Sequence, residues 1–495
     1  MPSIIIADPP GDTTAYDRAY PNMGILSLIA YLRKHFPDLQ ITYLDAFVPM
    51  SEHIARVVDI KPDIYGLSFS YLNQRLALQT LHSIRSQCPD MFIVCGGPGP
   101  TGQHDRVLQD SPVDCCVIGE GEETMRELVA EHVYGKKDWR QITGIAYKQD
   151  GQIIKTEPRK LIMDLGNLPY PAWDMIDPRK YVGQHYQQSQ NQQVIQAGLV
   201  ISRGCPYRCA FCSNPVWKVS KPEVRTRPPQ KIAEEVEYLY SRGVREIKFV
   251  SDELNVNIKW AKEVCQSIIA LEHKDLYFQT NLRADKLDEE FVILLRKMGC
   301  WLIHLGVESA NDRVLEGIGK HVTIKQVVNA TKLLKKHGIK VFWFMMAFQL
   351  WRKDGKIEWE SKREVLHSLW FCIKLRLKGQ ISYMSWSVAT PMPDTELWEI
   401  ARVVNKNFEK EVLDTWEHGN QDYLGFDISS LGISQKERQS MIRLGIFTKG
   451  MFALLSGHFD FKKHWYRIPN LLKSFLYGTK LSTMKKQEAK KSSCE

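Results

Sequence analysis

Long apolar runs are missing from this chain. A membrane-spanning helix needs about 20 consecutive apolar residues. The longest run, residues 341–351, has about half of that and reads as a buried strand. The N-terminus, MPSIIIADPPGD, has no basic segment ahead of its apolar run, which argues against a secretory signal peptide; it reads as a first strand entering a turn. Eleven cysteines are an odd number in a long chain without a secretory signal, which excludes a disulfide framework. The scattered ones read as reduced core residues, which points to the cytoplasm. A second Cys-x-x-Cys pair is absent, and with it the usual four-ligand zinc site. No phosphate loop is present.

The composition, 44% hydrophobic and 25% charged, is that of a soluble globular protein. A chain of 495 residues exceeds one ordinary core and predicts two or three domains. The net charge of +9 is unevenly spread. Residues 461–491 hold nine Lys or Arg against one acid, Glu488, a local excess of +8. The remainder is near neutral, so the basic pI gives no ground for a nucleic-acid partner.

Residues 1–150 alternate strand-like runs (SIIIAD, LQITYLDA, DIYGLSFS, MFIVCGGP, CCVIGEGE) with apolar spacings of three and four. Such alternation predicts a parallel sheet with helices on both faces, whose ligands bind outside the carboxyl ends of the strands. The loops expected there are PPGDTTAY, SFSYLN, GGPGPTG and GEGEE. They offer Ser68, Ser70, Gly96, Gly97, Pro98, Gly119, Glu120 and Gly121 as binding residues. Residues 151–195 read as a Pro-punctuated connector, with QHYQQSQNQQ as a surface loop. Six further strand–helix units follow over residues 196–400, and residues 401–495 are helical by pattern with a basic tail.

Behind the first of those six strands stand Cys205, Cys209 and Cys212, spaced Cys-x-x-x-Cys-x-x-Cys in GLVISRGCPYRCAFCSNP. Three thiolates from one loop ligate three irons of a [4Fe–4S] cluster and leave the fourth open. This motif, with Phe211 before its last cysteine, resembles the radical S-adenosylmethionine superfamily. The resemblance implies a partial (β/α)6 barrel in which the methionine of S-adenosylmethionine chelates the open iron. It places Phe211 against the adenine. It assigns the methionine ammonium to Asp252 and Glu253, with Asn281 and Arg283 at the next strand end; Arg283 pairs with the methionine carboxylate or forms a structural salt bridge. Glu308 and Ser309, in LGVESAND, match the Gly-x-Glu-Ser pattern, with Glu308 toward the ribose or Arg283. Arg203, just before the loop, reads as a solvated surface residue. The family's Gly-x-Pro-Gly-Glu-Thr is replaced by AFQLWRKDGKIEWES, whereas TPMPDTELWEIA keeps a Pro-x-Pro-Gly-Thr-x-Leu pattern with Asp394 in place of Gly.

The first 150 residues resemble the cobalamin-binding, flavodoxin/Rossmann-like α/β domain that precedes many such barrels. The matching residues are Pro9-Pro10, residues 21–24, Gly96-Gly97-Pro98 and residues 119–122. The Asp-x-His-x-x-Gly motif that ligates cobalt from below is absent, since none of the fourteen histidines has Asp two positions earlier. Cobalamin, S-adenosylmethionine and the cluster together imply methyl transfer to an unreactive carbon of a small-molecule substrate. Oxidative ring formation, as in anaerobic magnesium-protoporphyrin ester cyclases, fits the same motifs; a cobalamin sensor with a structural cluster is the rival of another class. The resemblance also implies an electron donor such as flavodoxin or ferredoxin, and a monomer. Trp343, Trp351, Trp359 and Trp386 suit either a large apolar substrate or plain core packing.

The C-terminal patterns KERQSMIRLGIFTKGMFALL and IPNLLKSFLYGTK read as helices that cap a neighbouring domain or as basic membrane-surface elements. Liposome sedimentation separates the readings. A surface element pellets with anionic vesicles, weakens with salt and is lost on removing residues 461–495, each cation contributing about 1 kcal/mol. Equal pelleting of full-length and truncated protein leaves the tail as solvated chain.

Overall fold

The computed structural model describes residues 1–11, 20–135, 138–181, 194–213, 224–417 and 427–454. The loop QHYQQSQNQQ, part of PPGDTTAY and the whole of residues 455–495 lie outside them. Strands β1 (Ser3–Ala7), β2 (Gln40–Leu44), β3 (Ile64–Ser68), β4 (Phe92–Gly96) and β5 (Cys115–Val117) form a parallel sheet in the order β2-β1-β3-β4-β5. This is the flavodoxin-like order, whose reversal between β1 and β3 opens a ligand crevice at the strand ends. Along β1, Ile4 and Ile6 enter one core and Ile5 the other, because side chains alternate across a strand. Both faces are covered by α1 (Met23–His35), α2 (Met50–Ile60), α3 (Gln74–Gln87), α4 (Pro98–Asp110) and α5 (Gly121–Val129).

An antiparallel hairpin, β6 (Ile145–Gln149) and β7 (Gln152–Lys155), extends this sheet past residue 150. Its turn is Asp150-Gly151, both with positive φ (50° and 77°), the pairing that two-residue hairpins favour. Beyond it, the connector is pinned to the second domain. Trp173 is buried, and its indole donates to the Glu235 carboxylate at 2.8 Å.

The second domain holds β8 (Gln196–Leu199), β9 (Ser202–Arg203), β10 (Arg225–Thr226), β11 (Glu246–Phe249), β12 (Tyr277–Leu282), β13 (Cys300–Glu308), β14 (Lys340–Ala347), β15 (Leu350–Lys353), β16 (Lys356–Trp359) and β17 (Tyr383–Val388). Six of these pair in parallel in the order β8-β11-β12-β13-β14-β17, an open six-stranded barrel. Its outer face packs Ile247, Phe249, Ile303, Leu305, Val341 and Trp343 against α6 (Pro229–Ser241), α7 (Ile258–Ile269), α8 (Glu289–Lys297), α10 (Ile324–Lys336) and α11 (Lys362–Leu377), while α9 (Asp312–Gly317) lies beside the β15–β16 hairpin.

The barrel interior is polar at its base. The Glu246 carboxylate accepts from Gln196 (3.0 Å), Gln279 (2.9 Å) and Trp301 (2.9 Å), and His304 Nε2 meets Gln279 Oε1 at 3.0 Å. The C-terminal part is helical: α12 (Glu396–Val404), α13 (Phe408–Glu417) and α14 (Gln435–Leu454). Helix α14 caps the barrel at β17, its Gly445 so near the Trp386 indole that a Cβ would come within 2.1 Å. Among the described residues, no helix is long and apolar enough to cross a membrane.

Candidate functional site

Where β8 ends, the chain enters the cysteine loop under tight backbone control. The Ser251 hydroxyl, at the end of β11, accepts from the amides of Ile201 and Ser202, each at 3.0 Å. Gly204 then turns the chain at φ 95°. Past the turn, Ala210 is clamped from both sides: its amide donates to Ile318 O and its carbonyl accepts from Leu397 N, each at 2.9 Å. The Tyr207 ring lies 3.5 Å from the Arg283 guanidinium carbon. All three cysteines are half-buried. Burial, aided by Asp252 and Glu253, pushes the Cys205 thiol up to about 12; burial raises Cys209 as well, against the pull of Lys320. Thiols of this kind become thiolates on meeting a cationic centre, so the donor set suits an iron–sulfur cluster. Among the described residues, no three His, Cys, Asp or Glu converge on a single ion. A cube-shaped cluster does not require that, because each thiolate holds its own iron.

A charged group faces this loop. Lys320 is buried with its ammonium 3.2 Å from Glu308 Oε1. Burial works against the ammonium, but Glu308 and Glu253 outweigh it and hold its pKa above the usual value. Glu253 is pushed by burial to about 7 despite Lys320 and Arg283, and its Oε2 has no hydrogen-bond partner. Asn281 keeps a second orphan acceptor, its buried Oδ1, while its amide donates to Ser251 O at 3.4 Å. Unpartnered acceptors suit an ammonium or hydroxyl donor from a ligand.

Beside the loop, a cavity of about 350 Å³ opens in the crevice between the two domains. Its first-domain wall contains Gly66, Ser68, Gly96, Gly97, Pro98, Gly119, Glu120 and Gly121; Val200, Arg203, Val250 and Asp252 face it from the barrel. Gly97 has φ 91°, and a Cβ there would stand 2.8 Å from Phe69 O. Helix α1 supplies Met23, Ile25 and Leu28, so a narrow apolar slot leads from the glycine rim into the first domain. A bulky cofactor with an apolar tail fits such a slot. Among the described residues, no histidine lines it; His104 sits on α4, outside the lining.

A buried ion cluster joins the cavity rim to the cysteine loop. Arg203 binds Glu120 at 2.7 Å and also Glu122. Arg225, paired with Arg203 across the β9–β10 ladder, reaches Glu120 at 2.8 Å and Ile162 O at 2.7 Å. Arg203 is thus no solvated surface residue: its side chain is only 12% exposed. Burial opposes the Glu120 carboxylate, but the two arginines outweigh it and hold its pKa below the ordinary range.

The other sequence expectations divide. Ser70 does not line the cavity; its amide and hydroxyl both contact Asn73 Oδ1, closing a local turn. Ser309 points away, donating to buried Glu360 at 2.8 Å. Phe211 packs with Ala210, Leu315, Ile318 and Trp351. Arg283 is held by Asp285 (2.9 Å) and Lys320 O (2.8 Å), the structural salt bridge of the two readings. Trp343 and Trp351 are core residues. Asp394 adopts φ 62°, the left-handed conformation in which the family's Gly is at ease.

The segment AFQLWRKDGKIEWES hides a simpler arrangement. Its middle forms the hairpin β15–β16 with an Asp354-Gly355 turn (φ 49° and 72°). Glu360 follows, accepting Phe348 N at 2.9 Å as well as the Ser309 hydroxyl, and Ser361 caps α11. Glu360-Ser361 thus stands directly behind the hairpin. Lys320, Tyr207 and Ser251 carried no sequence signal. The two Asp-Gly turns, flanked by alternating apolar residues, did.

Comparison with known proteins agrees with this geometry. Residues 199–350 match the family model of the radical SAM superfamily, and residues 13–129 that of the B12 binding domain. The chain is 29% identical over 384 residues to an uncharacterised methyltransferase of Pyrococcus horikoshii, covering 77% of this chain and 78% of the relative. It is 32% identical over 329 residues to the anaerobic magnesium-protoporphyrin IX monomethyl ester cyclase of Synechocystis, spanning 64% of this chain and 63% of that enzyme. Its fold resembles that of the radical S-adenosylmethionine methyltransferase TsrM of Kitasatospora setae, solved with cobalamin and a [4Fe–4S] cluster bound. There the TM-score is 0.64 at 18% identity, over 82% of this chain and 75% of that one.

Replacing Arg203 by Met strands the Glu120 and Glu122 carboxylates in a desolvated interface. Breaking a buried pair this way costs about 3–5 kcal/mol. A clear fall in Tm of the cofactor-free protein, followed by circular dichroism, is expected, with a smaller fall for Arg203→Lys. An unchanged Tm would show that water reaches the cluster.

Proposed function

Because the chain belongs to the radical S-adenosylmethionine superfamily and carries a B12-binding domain ahead of its barrel, we propose that it transfers a methyl group to an unactivated carbon of a small-molecule substrate. One observation carries the reading: Arg203, two residues before Cys205, and Asp252, whose charge acts on Cys205, both line the glycine-rimmed interdomain cavity. Bound there, the cluster with S-adenosylmethionine supplies a 5'-deoxyadenosyl radical and cobalamin supplies the methyl group.

The chain's own residues position and shield. Cys205, Cys209 and Cys212 are the cluster ligands, and the Ala210 clamp and the Tyr207–Arg283 stack hold their loop. Glu253 and Asp252 receive the methionine ammonium, with Asn281 Oδ1 as a further acceptor and the Glu308–Lys320 pair beside it. Ser68, Gly96, Gly97, Pro98, Gly119 and Gly121 cradle cobalamin, and the slot behind α1 excludes water from its tail. Glu120 serves as the interdomain anchor. Electrons come from a flavodoxin or ferredoxin, and the enzyme acts as a cytoplasmic monomer. The similarity to the Synechocystis cyclase favours oxidative ring formation as the second reading; a methylated product from labelled S-adenosylmethionine separates the two.

Reconstituted protein should hold about four irons and four sulfides at the loop. Changing all three cysteines to Ala abolishes both the cluster absorbance and deoxyadenosine release; a retained cluster would sink the assignment.

The histidine-free cavity predicts that cobalamin binds without an imidazole below cobalt. Electron paramagnetic resonance of the cob(II)alamin form should lack superhyperfine splitting from a lower nitrogen. A nitrogen triplet would redirect attention to His104.

A further inference from the structure

Among the described residues, Lys248 is a cation without an anion on the inner wall of the barrel. It shares a face of β11 with Glu246, two residues earlier, and with Val250, two residues later, because side chains alternate along a strand. Glu246 is committed to Gln196, Gln279 and Trp301 at the base of the barrel. Val250 lines the interdomain cavity. Lys248 therefore stands one step, about 7 Å, below the cavity wall.

Lys248 is half-buried, and among the described residues neither a hydrogen bond nor an ion pair reaches its ammonium. Its named neighbour is the Tyr20 ring, 5.9 Å away. Burial lowers its pKa with no acid to restore it. His304 on β13 is no partner: burial and then the charge of Lys248 push its pKa to about 3, so it is neutral. Glu308, the acid farther along β13, already pairs with Lys320. A buried charge costs free energy unless it is paired. Across the interior, half-buried Phe344 stacks on the His304 ring at 5.6 Å.

We propose that Lys248 binds an anionic group, carboxylate or phosphate, of the substrate, whose apolar body lies toward Phe344. This rests on the proposed methyl transfer to a small-molecule substrate, takes the barrel interior as its chamber, and narrows that substrate to an amphiphilic acid. Lysine suits the task as a compact point charge, and a charge-assisted hydrogen bond gives it both affinity and orientation.

The test is binding without turnover. Protein loaded with cluster, cobalamin and S-adenosylmethionine is titrated calorimetrically with phenylacetate, phenyl phosphate and neutral phenylacetamide. At least one anion should bind about tenfold tighter than the amide, phenylacetate marking a carboxylate substrate and phenyl phosphate a phosphate ester. Lys248→Met should abolish the preference and Lys248→Arg keep it, both with full cluster absorbance and cobalamin content. Equal binding of all three probes to the unaltered enzyme, or a preference that survives in Lys248→Met, overturns the proposal. Should Lys248→Met fail to load its cofactors, the unaltered enzyme and Lys248→Arg still decide. Failure of methyl transfer would leave the preference intact, so the two readings fall separately.

Discussion

A desolvated ion cluster spans the crevice between the domains. Arg203 and Arg225 come from the β9–β10 ladder, whereas Glu120 and Glu122 come from the turn into α5. Charges taken out of water repay their desolvation only when geometry and hydrogen bonds are complete. Here Glu120 also accepts the Ile162 amide, and Arg225 also donates to Ile162 O. The cluster thus sets the distance between two loops. Arg203 lies two residues before Cys205, and Glu120 lies between Gly119 and Gly121 at the cavity rim. Any motion of one loop against the other must break or re-form these pairs.

Around that anchor the barrel separates its tasks by depth. The base is a closed polar network centred on Glu246, which fixes the strand register. The mouth carries the charged set of Glu253, Glu308 and Lys320 beside the cysteine loop. Between them lies a layer with the Lys248 ammonium, unpaired among the described residues, and the rings of His304 and Phe344. This gradation follows from inward-facing residues stacking in layers where parallel strands curve into a barrel.

Glu360 shows how an insertion is absorbed. The β15–β16 hairpin leaves at Leu350 and returns at Trp359, and its strands pair along their length. The residues on either side thereby meet as though contiguous, and Glu360 reaches the Phe348 amide. A two-residue turn with both central φ positive is what permits so short a return.

Alternating strands and helices were legible in the chain because periodicity is a local property, and the cysteine spacing was legible because one loop holds all three cysteines. The glycine-rich loops at the sheet's carboxyl ends followed from the same local logic. Arg203 and Glu120, 83 positions apart, were not legible as partners: a charge before a loop looks solvated until a second domain covers it. Ser309, read as a cofactor contact, turned inward because buried Glu360 needs a donor, and Lys248 looked like any polar strand residue. The sequence by itself determined the element order, the cluster loop and the two-domain division. Burial and pairing across long separations were decided by the tertiary structure alone, since whether a charge is solvated, satisfied or left waiting depends on which distant surface closes over it.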